Sequence, residues 1–317
     1  MGLAEEILEG KVRAAARLIR NVEDEIPGAI EELKKLYPHT GKSYIVGITG
    51  SPGSGKSTLV DMLISTFRQE NKTVGVVAID PSSPFSGGAM LGDRIRMQGH
   101  SLDEDVFIRS LATRGWQGGL SKAASSVINI MDAMGKDIIL VETVGVGQAE
   151  VDIINSAHTS VVVLVPGMGD GIQTIKAGIL EIADIFVINK ADRPGVEELG
   201  AELMTMVHMG NHPPGAWEPE IILTEAVNNK GIEELAEKIY QHRQFLITTG
   251  GYNKHLRRKA RLELTDVLKD SLIDYIVEKL GESGYLQKLL DDLVNKNTDP
   301  YSAAADIIKR VTDGNRS

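Results

Sequence analysis

The sequence predicts an α/β fold in which a mostly parallel β-sheet lies between layers of helices, and two observations lead to this prediction. First, short runs rich in Val and Ile recur along the chain, at residues 44–48, 73–79, 137–141, 160–165, 184–188 and 221–223. Second, these runs are largely apolar throughout instead of alternating, and longer helix-compatible segments separate them. Such a pattern is typical of a parallel sheet that is covered on both faces.

Helical segments precede and follow this core. Apolar residues recur at helical spacing over 3–36, and Pro27-Gly28 divides that stretch into two predicted helices. A long helix with one apolar face is predicted over 255–280, and a last helix begins with Asp299 as N-cap and Pro300 in its first turn. We therefore expect an N-terminal helical arm at 1–40, a central α/β domain at 41–248 and a C-terminal helical extension at 249–317.

Composition excludes several classes of chemistry. The chain of 317 residues has a formal net charge of −10, so no chain-wide basic field favours nucleic acid or anionic membranes. It contains no Cys, which excludes disulfides, thiolate metal sites and cysteine nucleophiles. No apolar run approaches the roughly 18 residues of a membrane span, and the N-terminus lacks the apolar core of a signal peptide. We expect a soluble, cytoplasmic protein that binds neither nucleic acid nor membrane.

A glycine-rich turn after the first strand predicts a phosphate-binding loop. Residues 50–57, GSPGSGKS, match the pattern G-x-x-x-x-G-K-[ST] in full. The glycines let backbone N–H groups converge on a phosphate, and the helix that begins near Lys56 directs its positive dipole end at the same anion. We expect Lys56 to bridge the β- and γ-phosphates, the Ser57 hydroxyl to ligate Mg²⁺ and Thr58 to hold the α-phosphate. The other loop positions are Gly50, Ser51, Pro52, Gly53, Ser54 and Gly55. The sequence thus predicts binding of a nucleoside triphosphate.

A second motif selects the base. The run at 184–188 is followed by Asn189-Lys190-Ala191-Asp192, an N-K-x-D sequence at a strand end. The Asp192 carboxylate can accept hydrogen bonds from guanine N1–H and its exocyclic amine, whereas adenine presents an acceptor that would leave the carboxylate unpaired. Lys190 can lie along the base plane, and Asn189 can tie this loop to the phosphate loop. We also expect the main-chain N–H groups of Thr224, Glu225 and Ala226 to contact the guanine.

Carboxylates that follow two further strands are candidates for a magnesium site. The run at 137–141 leads into Glu142 and, three residues later, Gly145, where Asp-x-x-Gly is usual. We expect Glu142 at Mg²⁺ or one of its waters and the Gly145 N–H at the γ-phosphate. Asp80 would take part in the Mg²⁺ shell if its strand neighbours that of the phosphate loop, and Asp93 is a candidate for positioning the attacking water. No Gln follows Gly145 directly and no arginine finger is evident, so we expect slow intrinsic hydrolysis that a partner accelerates.

Taken together, these motifs resemble the methylmalonyl-CoA mutase-associated GTPases, the family of MeaB, MMAA and ArgK. The stretches that carry the resemblance are GITGSPGSGKST (47–58), AIDPSSPFSGGAMLGDRIRM (78–97), RSLATRGWQGGLS (109–121), VETVGVGQAEVD (141–152), PGMGDGIQTIKAGILEIADIFVINKADRPG (166–195) and DPYSAAADII (299–308). Glu142 in place of Asp agrees with this family. Trp116-Gln117 departs from the His-Leu type of pair that is expected there.

The resemblance implies a phosphate-loop GTPase of the signal-recognition and MinD-like branch, dimeric through its helical extensions. It implies binding of GTP or GDP with Mg²⁺, and a chaperone role in which the protein gates adenosylcobalamin loading into an acyl-CoA mutase and helps release damaged cofactor. No cobalamin is expected on this chain itself. The stretch 167–178 matches an additional switch of the family, so the resemblance assigns Asp170, Gln173 and Lys176 to the coupling between nucleotide state and mutase.

Three other functions are compatible with a phosphate loop. A nickel-insertion GTPase would present Cys and His ligands near the nucleotide, and the absence of Cys argues against it. A nucleotide-dependent kinase of a transport protein would need an acceptor-binding module, which the sequence does not reveal, and N-K-x-D favours guanine over ATP. A scaffold protein whose conformation is held by a bound nucleotide would not depend on hydrolysis of that nucleotide. The acyl-CoA substrate of the mutase stays open.

Overall fold

The computed structural model of the chain describes residues 2–80, 98–100, 102–112, 119–143, 154, 157–167, 183–210, 213, 215–281 and 284–313. The chain divides into two compact units, Met1–Lys259 and Ala260–Ser317. The first contains a β-sheet with helices, and the second is helical. The predicted domain limits at residues 40 and 248 stay predictions.

The described residues form one sheet of seven strands. The strands are β1 (Tyr44–Gly50), β2 (Val74–Asp80), β3 (Val106–Ala112), β4 (Ile138–Thr143), β5 (Thr159–Leu164), β6 (Ile185–Asn189) and β7 (Glu220–Thr224). Their order is β3-β2-β4-β1-β5-β6-β7, and every neighbouring pair is parallel. Strands β1, β4, β5 and β6 are buried along their whole length, which explains their uninterrupted apolar sequences. The predicted α/β class is confirmed.

The helices precede, connect and follow these strands. They are α1 (Leu3–Leu8), α2 (Val12–Glu23), α3 (Ala29–Leu36), α4 (Lys56–Gln69), α5 (Gly119–Ala133), α6 (Val196–Met209), α7 (Ile232–Thr248), α8 (Gly251–Gly281), α9 (Tyr285–Val294) and α10 (Pro300–Asp313). The prediction of two helices before β1 is wrong. Gly10, at φ 82°, lies between α1 and α2, so a second break adds a third helix. Asp299 does cap α10, because its Oδ1 accepts hydrogen bonds from the Tyr301 and Ser302 N–H groups at 2.9 and 3.0 Å.

Alternate residues of the central strands pack on opposite faces of the sheet. Ile45, Val77 and Ile139 share one hydrophobic cluster with α1, α2, α3 and α5. Val46, Val76 and Leu140 share another with α4 and α7. The N-terminal helices therefore belong to the same hydrophobic core as the sheet.

Strand β3 is not predicted by the sequence pattern, and its place at the sheet edge explains why. Its sequence, VFIRSLA, interrupts the apolar run with Arg109 and Ser110. Among the described strands, β3 pairs only with β2, and Arg109 forms an ion pair with Glu23 at the end of α2. An edge strand accommodates polar side chains that a central parallel strand does not. A search for uninterrupted apolar runs therefore misses it.

Asp132 of α5 anchors the segment before β1 through hydrogen bonds. Its carboxylate accepts hydrogen bonds from the N–H groups of Gly41, Lys42 and Ser43 at 2.5, 3.1 and 3.0 Å. It also accepts one from the Ser43 hydroxyl at 3.0 Å. Asp132 is 2% exposed, so its charge depends on these donors in place of water.

We expect Asp132→Ala to lower the free energy of unfolding by about 3 kcal/mol, because three main-chain N–H groups lose their acceptor. Ser43→Ala removes a single hydroxyl donor and should cost about 1 kcal/mol. Urea denaturation followed by circular dichroism measures both losses. A loss below about 0.5 kcal/mol in Asp132→Ala would contradict the anchoring role.

His158, directly before β5, is buried in its neutral form. Its ring stacks between those of Tyr44 and Tyr252, with centroids 5.2 and 4.7 Å away. Its Nδ1 accepts a hydrogen bond from the Ile45 N–H at 2.9 Å. Burial, with a smaller contribution from nearby His255, lowers the pKa of His158 to about 3. The imidazole therefore stays uncharged at neutral pH.

This burial predicts a loss of stability in acid. A histidine in an unfolded chain titrates near pH 6.5. The stabilising contribution of neutral, buried His158 is therefore complete above about pH 6.5. Below that, it declines by about 1.4 kcal/mol per pH unit as the pH approaches the folded pKa. His158→Asn keeps an acceptor near Nδ1 and does not titrate. Between pH 6.5 and about 5, its unfolding free energy should therefore fall by about 1.4 kcal/mol less per pH unit than that of wild type. Parallel profiles for the two proteins would refute this prediction.

The second unit exposes many large apolar side chains. On α8 they are Leu262, Leu264, Val267, Leu268, Leu272, Ile273, Tyr275 and Val277, between 38% and 60% exposed. Leu290 and Val294 of α9 and Tyr301 and Ile308 of α10 are exposed as well. None of the helices in the described ranges combines the length and apolarity that a membrane crossing requires.

Candidate nucleotide-binding site

The predicted phosphate loop lies at the carboxyl edge of the sheet, between β1 and α4. β1 pairs with β4 on one side and β5 on the other, so the loop emerges from the middle of the sheet. Gly50, the last residue of β1, has a φ of 145°. A Cβ added to it would lie 2.2 Å from the carbonyl oxygen of Val163 on β5. The first glycine of the motif is therefore required by a close approach of two strands.

The second glycine of the motif, Gly55, lies directly before α4 and allows the loop to approach Asn189 closely. Gly55 has a φ of 92°, and a Cβ there would lie 2.4 Å from Asn189 Nδ2. Lys56 begins the helix, and its ammonium donates to the carbonyl oxygens of Gly50 and Ser51 at 2.9 and 3.0 Å. Lys56 is only 5% exposed. The loop thus encloses a positive charge, as a phosphate site needs.

Two further features of the loop fit a bound phosphate. The first intrahelical bond of α4 runs from the Leu59 N–H to the Gly55 carbonyl at 2.9 Å, so the preceding N–H groups, up to Thr58, lie at the helix N-terminus that favours an anion. The Ser54 Oγ is buried, and no residue in the described ranges gives it a hydrogen-bond partner. Buried hydroxyls of this kind commonly find their partner in a ligand or water.

Ser57 and Glu142 bring two oxygen ligands together. The Ser57 hydroxyl donates a hydrogen bond to Glu142 Oε1 at 2.7 Å. Glu142 lies on β4 opposite Ile48 of β1 and is 2% exposed. Mg²⁺ prefers oxygen ligands and usually takes only one or two from the protein, with the rest from phosphate and water. The pair therefore fits the predicted magnesium site.

The place of Asp80 is less direct than expected. The sequence prediction depends on β2 lying next to β1, and this condition is not met because β4 lies between them. Asp80 does end β2 at the same edge of the sheet, two residues beyond Ala78, whose partner on β4 is Glu142. Its part in the Mg²⁺ shell stays a prediction.

We expect Glu142→Gln to shift nucleotide hydrolysis to higher Mg²⁺ concentration and to slow it by about 10- to 100-fold at limiting Mg²⁺. The amide keeps the shape and an acceptor for Ser57 but removes the charge that attracts the cation. A Mg²⁺ titration of the hydrolysis rate measures the effect, with Glu202→Gln on the exposed surface of α6 as the matched control. Identical Mg²⁺ dependence in Glu142→Gln and wild type would rule out the assignment.

Asn189, at the end of β6, joins three parts of the site. Its Nδ2 donates to the Ser54 carbonyl at 2.8 Å. Its Oδ1 accepts hydrogen bonds from the Thr224 hydroxyl at 3.0 Å and the Ala226 N–H at 3.1 Å. Asn189 is 2% exposed, so these bonds replace water. One amide therefore fastens the phosphate loop, the end of β6 and the loop after β7.

The rest of the N-K-x-D motif forms a tight turn on this anchor. Lys190 has a φ of 58°, and its ammonium donates to the Gly53 carbonyl at 2.7 Å. The Ala191 N–H donates to the Thr224 carbonyl at 3.0 Å, and the Arg193 N–H donates to the Lys190 carbonyl at 3.0 Å. The turn leaves Asp192 exposed, beside a lysine that lies against the phosphate loop. This arrangement leaves the carboxylate accessible to a nucleotide base.

The main-chain N–H groups directly after β7 have hydrogen-bond partners within the chain. The Glu225 N–H donates to the Lys230 carbonyl at 3.1 Å, and the Ala226 N–H donates to Asn189. Both groups have acceptors within the chain, and contacts of the Thr224, Glu225 and Ala226 N–H groups with guanine stay a prediction. The Ala226 N–H and the Thr224 hydroxyl hold Asn189, and the Glu225 N–H closes the loop.

Three residues that help to close this loop, Asn228, Lys230 and Gly231, lie outside the sequence motifs. Hydrogen bonds from Asn228 and Lys230, at 2.8 and 3.0 Å, hold the Glu225 carboxylate and lower its pKa. Gly231 follows at φ 74°, and a Cβ on it would lie 2.1 Å from the Leu223 carbonyl oxygen. That glycine after polar residues is the one local signal that a tight loop lies here.

Several predicted residues lie outside the described ranges. They are Asp93 and Gly145, assigned from motif spacing, and Asp170, Gln173 and Lys176, assigned from the resemblance. Their roles stay predictions.

Comparison with known proteins gives consistent results. The model of the MeaB family, methylmalonyl-CoA mutase-associated GTPases, matches residues 15–280. A protein of Pyrococcus abyssi that is provisionally named a GTPase is 50% identical to this chain over 317 residues. The match covers 99% of this chain and 98% of that protein. The GTPase ArgK of Escherichia coli is 31% identical over 272 residues, 84% of this chain and 82% of that protein.

One further relative and one solved structure were also found. The mitochondrial methylmalonic aciduria type A homolog of mouse is 30% identical over 236 residues, which cover 74% of this chain and 57% of that protein. The crystal structure of an LAO/AO transport system kinase superposes with a TM-score of 0.72 and 22% identity, over 98% of this chain and 96% of that one. At this identity the likeness shows a shared fold.

Proposed function

The chain belongs to the family of methylmalonyl-CoA mutase-associated GTPases, and from this premise we propose that it is a GTP-dependent chaperone of an adenosylcobalamin-dependent acyl-CoA mutase. As a GTPase it hydrolyses GTP to GDP and phosphate. In the proposal, its nucleotide state gates cofactor loading into the mutase and the release of damaged cofactor. The hydrogen bond from Asn189 to Ser54 carries the nucleotide part, because it joins the guanine motif to the phosphate loop.

The chemistry of the nucleotide site is assigned to a few side chains. Lys56 would exchange the Gly50 and Ser51 carbonyls for the β- and γ-phosphates and neutralise charge there. Ser57 and Glu142 would hold Mg²⁺, which supplies further neutralisation of the phosphates when bound. Asp192 would accept the guanine hydrogen bonds. In this scheme, Asp80 and Asp93 assist the metal and the attacking water.

The partner is proposed from the family and its relatives. The family description names an association with methylmalonyl-CoA mutase, and the mouse relative is named for methylmalonic aciduria. We assign Asp170, Gln173 and Lys176 to the contact with the mutase, following the resemblance. The cofactor would be carried by the mutase and not by this chain.

The second unit supports a homodimer as part of this proposal. Leu264, Leu268 and Leu272 of α8 follow one another at helical spacing and are 60%, 49% and 56% exposed. A second copy of the chain would cover this apolar face. Light scattering after size-exclusion chromatography measures the oligomeric state directly.

GTP turnover with and without a mutase tests the proposal. The purified protein is assayed alone and with adenosylcobalamin-dependent mutases specific for methylmalonyl-CoA or isobutyryl-CoA, with ATP as the nucleotide control. We expect slow, GTP-selective hydrolysis that rises at least about tenfold with the correct mutase. Hydrolysis that no such mutase changes would leave the GTPase and remove the chaperone role.

A further inference from the structure

Two buried hydroxyls face each other where β1 and β4 end. The Thr143 hydroxyl donates a hydrogen bond to Thr49 Oγ1 at 3.0 Å, and both residues are at most 2% exposed. On the β2 side, the buried Ile79 is the register partner of Thr143. On the β5 side, the buried Val162 is the register partner of Thr49. The two hydroxyls therefore meet in the middle of a row across four strands whose outer members are apolar.

This row lies directly beside the proposed metal site. Thr143 follows Glu142 in the chain, and Thr49 precedes the phosphate loop. Glu142 and Ile48 are partners in the register of β4 and β1, so the two threonines are neighbours at the next level of the same strands. Successive residues of a strand point to opposite faces of the sheet. The hydroxyl contact and the hydrogen bond from Ser57 to Glu142 therefore lie on opposite faces of the sheet, one residue apart along β4.

A pair of hydroxyls restricts the two strand ends more than an apolar pair would. Apolar contacts are non-directional, whereas a hydrogen bond tolerates only a narrow range of lengths and angles. Buried hydroxyls also cost free energy unless they are hydrogen-bonded. Valine is branched at Cβ in the same way as threonine, so a pair of valines would fill this place without that cost. What the two hydroxyls add to the packing is a fixed offset between β1 and β4.

We propose that the Thr49–Thr143 pair is a positioning element for Mg²⁺, an inference that rests on the proposed metal ligands Ser57 and Glu142. The pair fixes the backbone of Glu142 relative to the strand that leads into the phosphate loop. Mg²⁺ demands near-ideal octahedral geometry with oxygen ligands at about 2.0–2.1 Å, so a small displacement between the two ligands weakens its binding. The threonines supply no ligand of their own and act through Glu142.

Thr49→Val, Thr143→Val and the double variant test the pair with a readout that does not depend on turnover. Mg²⁺ is titrated at a fixed concentration of GDP, and the rise in melting temperature measures the apparent affinity for Mg²⁺. Each variant should require about fivefold more Mg²⁺ than wild type, less than the 10- to 100-fold that is typical when a direct partner of a metal ligand is lost. Thr143→Ser keeps the hydroxyl and should stay within about twofold of wild type. Thr205→Val, on the exposed surface of α6, is the matched control.

The double variant separates positioning from packing. Neither hydroxyl of the pair is left behind without the other, so its melting temperature in the absence of Mg²⁺ should be at or above that of the single variants. Its Mg²⁺ requirement should nevertheless rise as much as theirs, since both changes break one contact. A Mg²⁺ requirement that rises only in the single variants, in step with their loss of melting temperature, would show a packing role and overturn the proposal.

Glu142→Gln in the same titration separates this proposal from the proposed function. If it raises the Mg²⁺ requirement while all three valine variants stay within about twofold of wild type, the metal site stands and the positioning role is overturned. An unchanged Mg²⁺ requirement in Glu142→Gln would overturn the metal ligand and the positioning pair with it. Wild-type protein that neither binds GDP nor hydrolyses GTP would overturn the proposed function itself, and this inference along with it.

Discussion

A Lys56→Ala variant is expected to hydrolyse GTP at least about 100-fold more slowly than wild type and to bind it more weakly. The physical reason is the position of the ammonium, which is 5% exposed and enclosed by the loop that would surround the phosphates. Charge that develops on phosphate oxygens in such an enclosed site is stabilised strongly by a fixed cation. Single-turnover hydrolysis and titration with a fluorescent GTP analogue measure the two effects.

The control for this variant is Lys254→Ala. Lys254 is exposed on α8, so its removal changes the net charge equally and leaves the loop intact. Melting temperatures of both variants show whether the loss of the Gly50 and Ser51 contacts affects folding. Turnover by Lys56→Ala within about fivefold of wild type, with the fold intact, would exclude a phosphate role for Lys56.

Asp192→Asn is expected to change the preferred base from guanine to xanthine. A carboxylate accepts hydrogen bonds from guanine N1–H and the exocyclic amine, whereas an amide offers one acceptor and one donor. Xanthine presents N1–H and a C2 carbonyl, which match the amide. A site that loses hydrogen bonds to its ligand in this way discriminates by about 100-fold or more, so GTP affinity should fall by at least that factor.

Competition between GTP, xanthosine triphosphate and ATP measures this change of specificity. Xanthosine triphosphate should displace the labelled nucleotide from Asp192→Asn at lower concentration than GTP does, and the order should be reversed in wild type. Glu197→Gln, an exposed carboxylate five residues further on, is the matched control. If Asp192→Asn keeps the wild-type order of preference, the base-recognition role of Asp192 is refuted.

The sequence by itself predicts the fold class and the position of the main motifs. Strands such as β1 and β4 are buried on both faces, so every residue in them must be compatible with the core and the pattern is easy to recognise. The phosphate loop is local as well, because a strand, a glycine turn and a helix follow one another directly. The edge strand β3 and the break at Gly10 are missed, since neither is marked by an uninterrupted apolar run or by proline.

Only the tertiary structure decides which distant residues meet. Ser57 and Glu142 are 85 residues apart, and Asn189 and Ser54 are 135 apart, yet both pairs are joined by hydrogen bonds. The order of the strands brings them together, and the same order places β4 between β1 and β2, the strand that Asp80 ends. Local sequence patterns record burial and turns, whereas strand order is set by how all the faces pack at once, and no short motif carries that information.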